Sequence, residues 1–359
     1  MTVFGVAGCT ALLVTGFGLR DSIGDILNNQ FEDLWQFDLT VGIKDTDETP
    51  LDKNIQKLMA ETGDHMTVRQ ESGKVSMPGS PVSELTIFVP SDAEAFRDFV
   101  RFRTRIGKHP IGFGPGKAIL TEKAAMTIGA EAGDTITVIN GDDEETTVTI
   151  AGVTENYIQG YLYIAPDLYA EIFDAQPVDN NLICKSGGLE EKDRDALAEK
   201  ILHCPSATSV TFTQDTSRDF SDTFKSIDMI VVLLIVCAGL LAFVVLYNLT
   251  NINITERQKE IATLKVLGFF EKEVSDYVLR ETNVLTLIGA LVGMGLGKIL
   301  HAFVARTAEV DMVMFGRIIM PRSYLFALLL TFLFSFCVSL FMNGKLKRIS
   351  MVESMKAPE

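Results

Sequence analysis

A bilayer presents about 30 Å of hydrocarbon, and an α-helix crosses it in about 20 residues with every backbone polar group satisfied inside the segment. Four stretches of this 359-residue chain meet that requirement. Met1 to Leu19 and Tyr324 to Met342 carry no charge, and neither does Met229 to Tyr247, which starts directly after Asp228. The fourth, Val284 to Val304, contains Lys298 and His301 in its last two turns, where a lysine stem can reach up to the headgroups. One such segment could be a long buried helix. Four together set the class as an α-helical membrane protein with four transmembrane helices.

The chain then divides into a span at 1–20, an extracytoplasmic α+β domain with stalks at 21–225, and a second span at 226–249. A cytoplasmic segment at 250–280, a third span at 281–304, an outer loop at 305–322, a fourth span at 323–343 and a cytoplasmic tail at 344–359 complete it. Residues 21–225 hold 36 acidic against 18 basic side chains, a surplus of 18 negative charges that argues against nucleic acid or an anionic lipid surface as the domain's partner. Orientation follows from the short loops, because long domains translocate largely regardless of charge. Arg257, Lys259, Lys265, Lys272 and Arg280, with Lys345, Lys347, Arg348 and Lys356 of the tail, place nine positive charges on one side. Arg306, Arg317 and Arg322, with Arg20 and Lys225 flanking the large domain, place five on the other, so both ends are expected inside.

The first span has no basic flank before it and no small-residue cleavage site ahead of Arg20-Asp21, so it reads as a retained span rather than a signal peptide. Its start at Met1 leads us to expect a piece of a longer chain. Cys9, Cys237 and Cys337 fall in spans as small apolar fillers. Cys184 and Cys204 share the outer domain, where they are either one disulfide or two buried thiols.

Within that domain, Ile23, Ile26, Leu27, Phe31, Leu34 and Trp35 continue the first span at helical spacing. Helices are expected at Leu51 to Glu61, Asp92 to Arg105 with Asp92 as its cap, Leu168 to Phe173 and Glu190 to His203. Strands are expected at Asp38 to Ile43, His65 to Gln70, Glu84 to Val89, Thr135 to Ile139, Thr146 to Val153, Tyr161 to Ile164, Asn181 to Lys185 and Ser209 to Thr213. A Gly/Pro-rich run from Pro110 to Gly116 is expected to divide the domain in two. Irregular mixing of strands and helices gives the α+β class. The acidic turn from Asp142 to Glu145 is a solvated hairpin tip or, less simply, a cation site.

The run from Thr255 to Gly268, Thr-Glu-Arg-Gln-Lys-Glu-Ile-Ala-Thr-Leu-Lys-Val-Leu-Gly, followed by Phe-Phe, is a charged turn and a short amphipathic helix stopped by glycine. Ile261, Leu264 and Leu267 form its apolar side. Such a helix lies on lipid or docks into a soluble partner. The order of its residues resembles the hallmark of FtsX-like, MacB-type ABC transporter permeases, a Glu-Arg-x-x-Glu-Ile run closing on Leu-Gly. Ile119 to Ile136 resembles the outer-domain core of that family, and Met351 to Lys356 its usual ending. Gly5 to Ser22 resembles the second repeat of long two-repeat members.

The resemblance implies a permease subunit paired with a second permease half or homologous repeat in membrane lipid and driven by an ABC ATPase. ATP and Mg would sit on that ATPase, with no cofactor on this chain. Carried over position by position, Glu256, Arg257, Glu260, Ile261, Leu264 and Leu267 would form the ATPase contact. The chain has no phosphate-binding loop, since Gly116-Lys117 is preceded five positions back by Ile111 and followed by Ala118. Ser186-Gly-Gly188 lacks the neighbours of an ABC signature, and His65, His109, His203 and His301 are too scattered for a metal or nucleophile motif. No enzyme is expected. Gly289, Gly293 and Gly297 form a small-residue stripe for close helix packing, within the chain or across a dimer. The competing reading is a membrane-anchored receptor or regulator whose outer domain binds a ligand or controls an envelope enzyme without transport.

In intact cells, a thiol reagent that cannot cross the membrane should label a cysteine placed at Asp143 and miss one placed at Lys272. The opposite pattern would invert the topology.

Overall fold

The computed structural model describes residues 2–44, 51–309, 313–316 and 318–347. They form two compact units, one taking in residues 25–223 and 309–314 and the other the remaining membrane-helix segments. Helix α1 (Thr2–Asn28) opens the chain and runs into a π-helical turn at Asn29–Leu34, closed by the Trp35 N–H donating back five residues to the Gln30 carbonyl at 3.0 Å.

The unit of residues 25–223 is built on β1 (Leu39–Ile43), α2 (Lys53–Thr62), β2 (His65–Ser76), β3 (Ser83–Pro90), β4 (Ala118–Thr121), α3 (Glu122–Ile128) and β5 (Thr135–Ile139). It continues through β6 (Glu145–Thr154), β7 (Tyr161–Ile164), α4 (Pro166–Phe173), β8 (Asn181–Cys184), α5 (Glu191–Leu202) and β9 (Ala207–Phe212). Alternation makes these strands one-sided, as in β6, where Val148, Ile150 and Thr154 are buried and Thr147, Thr149 and Ala151 are not. In α2, Asp52 caps the first turn by accepting the Asn54 N–H at 2.9 Å, and Ile55 and Met59 bury one stripe.

The strands run in the order β3-β7-β4-β6-β5-β2-β8-β1-β9, and β3 also pairs with β2, which closes the first six into a barrel. Strand β2 makes this possible by being long. Val68 to Val75 pair with β3 along one edge, while on the other edge Lys74 to Ser76 pair with β5 and His65 to Val68 pair with β8. At the fork the Asn180 side chain takes the place of a strand, accepting the Gln70 N–H at 2.9 Å and donating to the Gln70 carbonyl at 2.9 Å. The barrel strands bury an aliphatic cluster around Ile87, Leu120, Val138 and Ile150 on one face and, with the alternate residues, an aromatic one of Phe88, Phe96, Phe102, Phe113 and Tyr163 on the other. A third core, with Leu39, Val41, Ile55, Met59, Leu182 and Ile201, lies where α2 and α5 cover the β8-β1-β9 sheet.

Two expectations for this domain need correction. The helix expected from Asp92 to Arg105 is a single tight turn at Ala95–Asp98, although Asp92 does cap it, accepting from Glu94 and Ala95 N–H at 2.8 and 3.1 Å. Beyond it Arg101 points out, Phe102 in and Arg103 partly out, an extended alternation with bridges Trp35 to Val100 and Arg103 to Pro110. Nor does the Pro110 to Gly116 run divide the domain. The Ile111 N–H donates to the Phe102 carbonyl at 2.8 Å and Phe113 is fully buried in the aromatic cluster, so the run is core, and the barrel and the β8-β1-β9 sheet meet at β2 instead. Cys184 and Cys204 are free thiols in the third core, where burial pushes Cys184 up to about 12, with Asp38 and Asp64 adding to the shift. The disulfide left open by sequence is not formed.

The membrane unit contains most of α1, then α6 (Thr213–Glu256), α7 (Gln258–Val266), α8 (Glu271–Ala308) and α9 (Pro321–Lys347). Four segments are long and apolar enough to cross a membrane: Thr2–Leu34, Val231–Glu256, Arg280–Thr307 and Pro321–Met342. In α1 61% of the apolar window is buried, against 28, 28 and 33% in the others, so α1 is the helix the rest surround. The glycine stripe explains how. A Cβ at Gly289 would come within 2.7 Å of Val6 Cβ, at Gly293 within 2.6 Å of the Ala7 carbonyl oxygen, and at Gly297 within 2.7 Å of Val14 Cβ. The stripe therefore serves packing within the chain, turn by turn against α1.

Hydrogen bonds between spans join α1 to its neighbours. Thr10 and Thr331 share one at 3.2 Å, the Thr15 hydroxyl donates to the Gly297 carbonyl at 3.3 Å, and Ser22 and His301 are joined at 2.9 Å. Buried Asp21 accepts the Met320 N–H at 2.9 Å and faces Arg322 at 3.7 Å, fixing the start of α9.

Gly293→Val should therefore lower stability in detergent by about 1–3 kcal/mol through overpacking. Gly295→Ala, whose Cβ meets nothing within 4 Å, should leave the thermal midpoint unchanged.

Candidate functional site

The segment from the end of α6 through α7 to the start of α8 gathers the site residues expected from sequence. Helix α7 has nine residues and ends in a glycine cap: Gly268 sits at φ +92°, and the Phe269 N–H reaches back to the Leu264 carbonyl at 3.2 Å. Phe270 then opens α8, its N–H capped by the Glu273 carboxylate at 2.9 Å. The turn between α7 and α8 is thus fixed at both sides.

The apolar residues of α7 part company. Ala262 is wholly buried, and Ile261, 2% exposed, sits in a cluster with Val6, Leu246, Ile254, Val274, Val338 and Met342, with Leu264 packed against its edge. Leu267, by contrast, is 70% exposed, together with Val266, Phe269 and Phe270. At about 100° per residue, a position six beyond Ile261 lies about 120° around the helix from it, so Leu267 cannot share its face. The single apolar side expected from sequence is two surfaces, with Ile261 and Leu264 turned into the bundle and Leu267 turned out.

The charged residues divide in the same way. The Arg257 guanidinium grips the Glu281 carboxylate with two hydrogen bonds, one of 2.7 Å from Nη2 to Oε1, linking the end of α6 to α8. Glu256 and Glu260 are exposed. Between α7 and α8 an open groove of about 750 Å³ has Glu260, Thr263 and Leu264 on one wall and Phe269, Glu273, Val274 and Arg280 on the other. The surface offered outward is therefore a fixed apolar ledge, Val266 to Phe270, beside a groove of mixed charge. Sequence reasoning missed Glu281 and the outward pair Phe269-Phe270, and the signal for the latter was two aromatics placed directly after a capping glycine.

Residues 232–351 match the family model of the FtsX-like permease C-terminal domain. That match takes in α6 from residue 232 onward, α7, α8 and α9. Among solved structures, the extracellular domain of the ABC-type transporter YknZ from Gram-positive bacteria is similar at 12% identity and a TM-score of 0.31, over 49% of this chain and 98% of that one. The periplasmic region of MacB from Actinobacillus actinomycetemcomitans is similar at 12% identity and a TM-score of 0.34, over 54% and 97%. None of the curated proteins compared matches the chain. The matched FtsX-like region contains α7, its glycine cap and the groove. Its counterpart to the family ending, Met351 to Lys356, lies outside the described residues.

Among the described residues no group of three or more His, Cys, Asp or Glu side chains is placed to hold a metal ion. At the acidic hairpin tip the Asn140 side chain accepts the Asp142 and Glu144 N–H groups at 3.0 and 2.8 Å, which closes the turn.

Truncating Arg257 to alanine should strand the partly buried Glu281 carboxylate and loosen α6 from α8 without disturbing the outer domain. Faster proteolysis confined to residues 250–280 would report it.

Proposed function

We propose that the chain is the permease subunit of an ABC transporter of the FtsX/MacB kind, in a bacterial cytoplasmic membrane. A separate ATPase, carrying ATP and Mg, docks on the ledge Val266 to Phe270 and the adjoining groove. The observation that carries this reading is the FtsX-like domain at residues 232–351 together with an exposed apolar ledge on a helix that is itself bound into the bundle. An apolar surface on a free helix would fold away or lie on lipid. Here Ile261 and the Arg257–Glu281 pair hold the helix, so a push on Leu267, Phe269 or Phe270 tilts α7 with α6 and α8 rather than bending it.

Of the positions carried over from the family, Leu267, Glu256 and Glu260 are the ones turned toward a partner, and Ile261, Leu264 and Arg257 support them. The subunit works beside a second permease half, moving or extracting a substrate through changes in its outer domain, with both chain ends on the ATPase side.

Mg-ATP hydrolysis that copurifies with the full chain in detergent should fall at least tenfold in Phe270→Asp, which buries an unpaired carboxylate at the contact. Glu260→Lys should also lower it, whereas a helix lying on anionic lipid would gain about 1 kcal/mol of attraction from the added positive charge. Undiminished copurifying hydrolysis in both variants would remove the ledge from the ATPase contact.

A further inference from the structure

The chain passes between its two units at four peptide links, after Gly24, Thr223, Ala308 and Met314. Within the unit of residues 25–223 and 309–314, the segments that follow the first link and precede the last hold the same five-residue loop, Glu155 to Gln159, between β6 and β7. From one side comes the π-helical turn. Gln30 is wholly buried, and its Oε1 accepts the Tyr157 N–H at 2.9 Å and, at 3.4 Å, the Ile158 N–H. From the other side, the Met314 N–H donates to the Tyr157 carbonyl at 2.8 Å, and Val313 forms a bridge with Ile158. Both backbone groups of Tyr157 are thus held by residues that belong to different connections. Glu309, at the start of its segment, is pinned by Lys123 of α3 at 3.4 Å.

A charge network centred on buried Glu155 stiffens the loop. Asp33, three residues beyond Gln30, accepts from Arg101 at 2.9 Å and from Arg103. Arg103 Nε in turn reaches Glu155 at 2.7 Å, and the fully buried Glu155 carboxylate also meets Lys108 and the Tyr157 hydroxyl. The hydrogen bond from Arg103 holds the Asp33 carboxyl below its usual range, so the pair is ionised at neutral pH. Gln30 Nε2 is buried with no hydrogen-bond partner among the described residues, a cost the fold tolerates for the acceptor on the same side chain.

We infer that the Glu155 to Gln159 loop is a mechanical joint in which the π-helical turn and the Val313-Met314 segment form one cooperative unit, so that displacement of either connection reaches the barrel and the other connection through Tyr157. This goes beyond the ATPase reading and does not depend on it, because it concerns how the outer unit receives motion and not what supplies it.

Residue-resolved amide hydrogen exchange on the full chain in nanodiscs tests it. Gln30→Ala should speed exchange about tenfold at Tyr157 and also, by a similar factor, at Met314, which Gln30 does not touch. In reverse, Val313→Gly should speed exchange at Tyr157 and at Trp35, while amides of the β5–β6 ladder stay protected in both variants. Faster exchange confined to the mutated side would overturn the inference. Should Gln30→Ala expose the β5–β6 ladder, the barrel has opened and Val313→Gly alone decides: acceleration at Trp35 supports the joint, and its absence refutes it.

Discussion

The membrane unit depends on how closely α1 and α8 approach. Gly289, Gly293 and Gly297 bring one backbone against the other over three successive turns, so close that Ala7 and Ala11 carbonyl oxygens lie where side chains would otherwise be. In hydrocarbon there is no hydrophobic gain from associating two apolar helices, so this contact works through dispersion and through the few hydrogen bonds it brings into range, such as Thr15 to the Gly297 carbonyl. With α1 set there, Gly5 and Gly16 admit Leu249 and Ile235 of α6 on another side, and Thr10 reaches Thr331 of α9. The span that begins at Thr2 is the one the others pack around, with 61% of its apolar window buried.

What could be read from the sequence was whatever is written locally. Apolar length gave the four spans, period-two alternation placed β5 and β6 to within a residue or two, and the residues from Glu256 to Gly268 carried a family resemblance that the FtsX-like match over residues 232–351 bears out. What escaped was long-range. Nothing in β2 announces that its two halves serve different neighbours, and barrel closure rests on its pairing with β3. Phe96, Phe99 and Val100 follow helical spacing but are buried in an aromatic core that the extended chain beyond Ala95–Asp98 helps to form. The π-helical turn at Asn29–Leu34 has no sequence signature, because its five-residue hydrogen bond is set by what Gln30 and Asp33 find on the barrel.

The two candidate surfaces share a design. At the α7 segment, Arg257 and Ile261 are used up inside the chain so that Leu267 and Phe270 can be held out. At the outer loop, Arg103 and Glu155 are used up inside so that Tyr157 can be held from two directions. In each place the ionic or apolar contacts made within the chain fix a geometry, and the functional group is a neighbour left over. A list of charged or apolar residues by type therefore overstates a recognition surface, and burial separates the supports from the contacts.

Strand β2 carries one more consequence. Its twelve residues belong to the barrel at one end and to the β8-β1-β9 sheet at the other, with Asn180 closing the fork by its side chain. A hinge between the two parts would have to bend a single strand and break ladder hydrogen bonds on both of its edges. The domain consequently lacks the easy flexing mode that two lobes joined by a loop would have, and a twist applied to the barrel is passed through β2 to the sheet and its two covering helices.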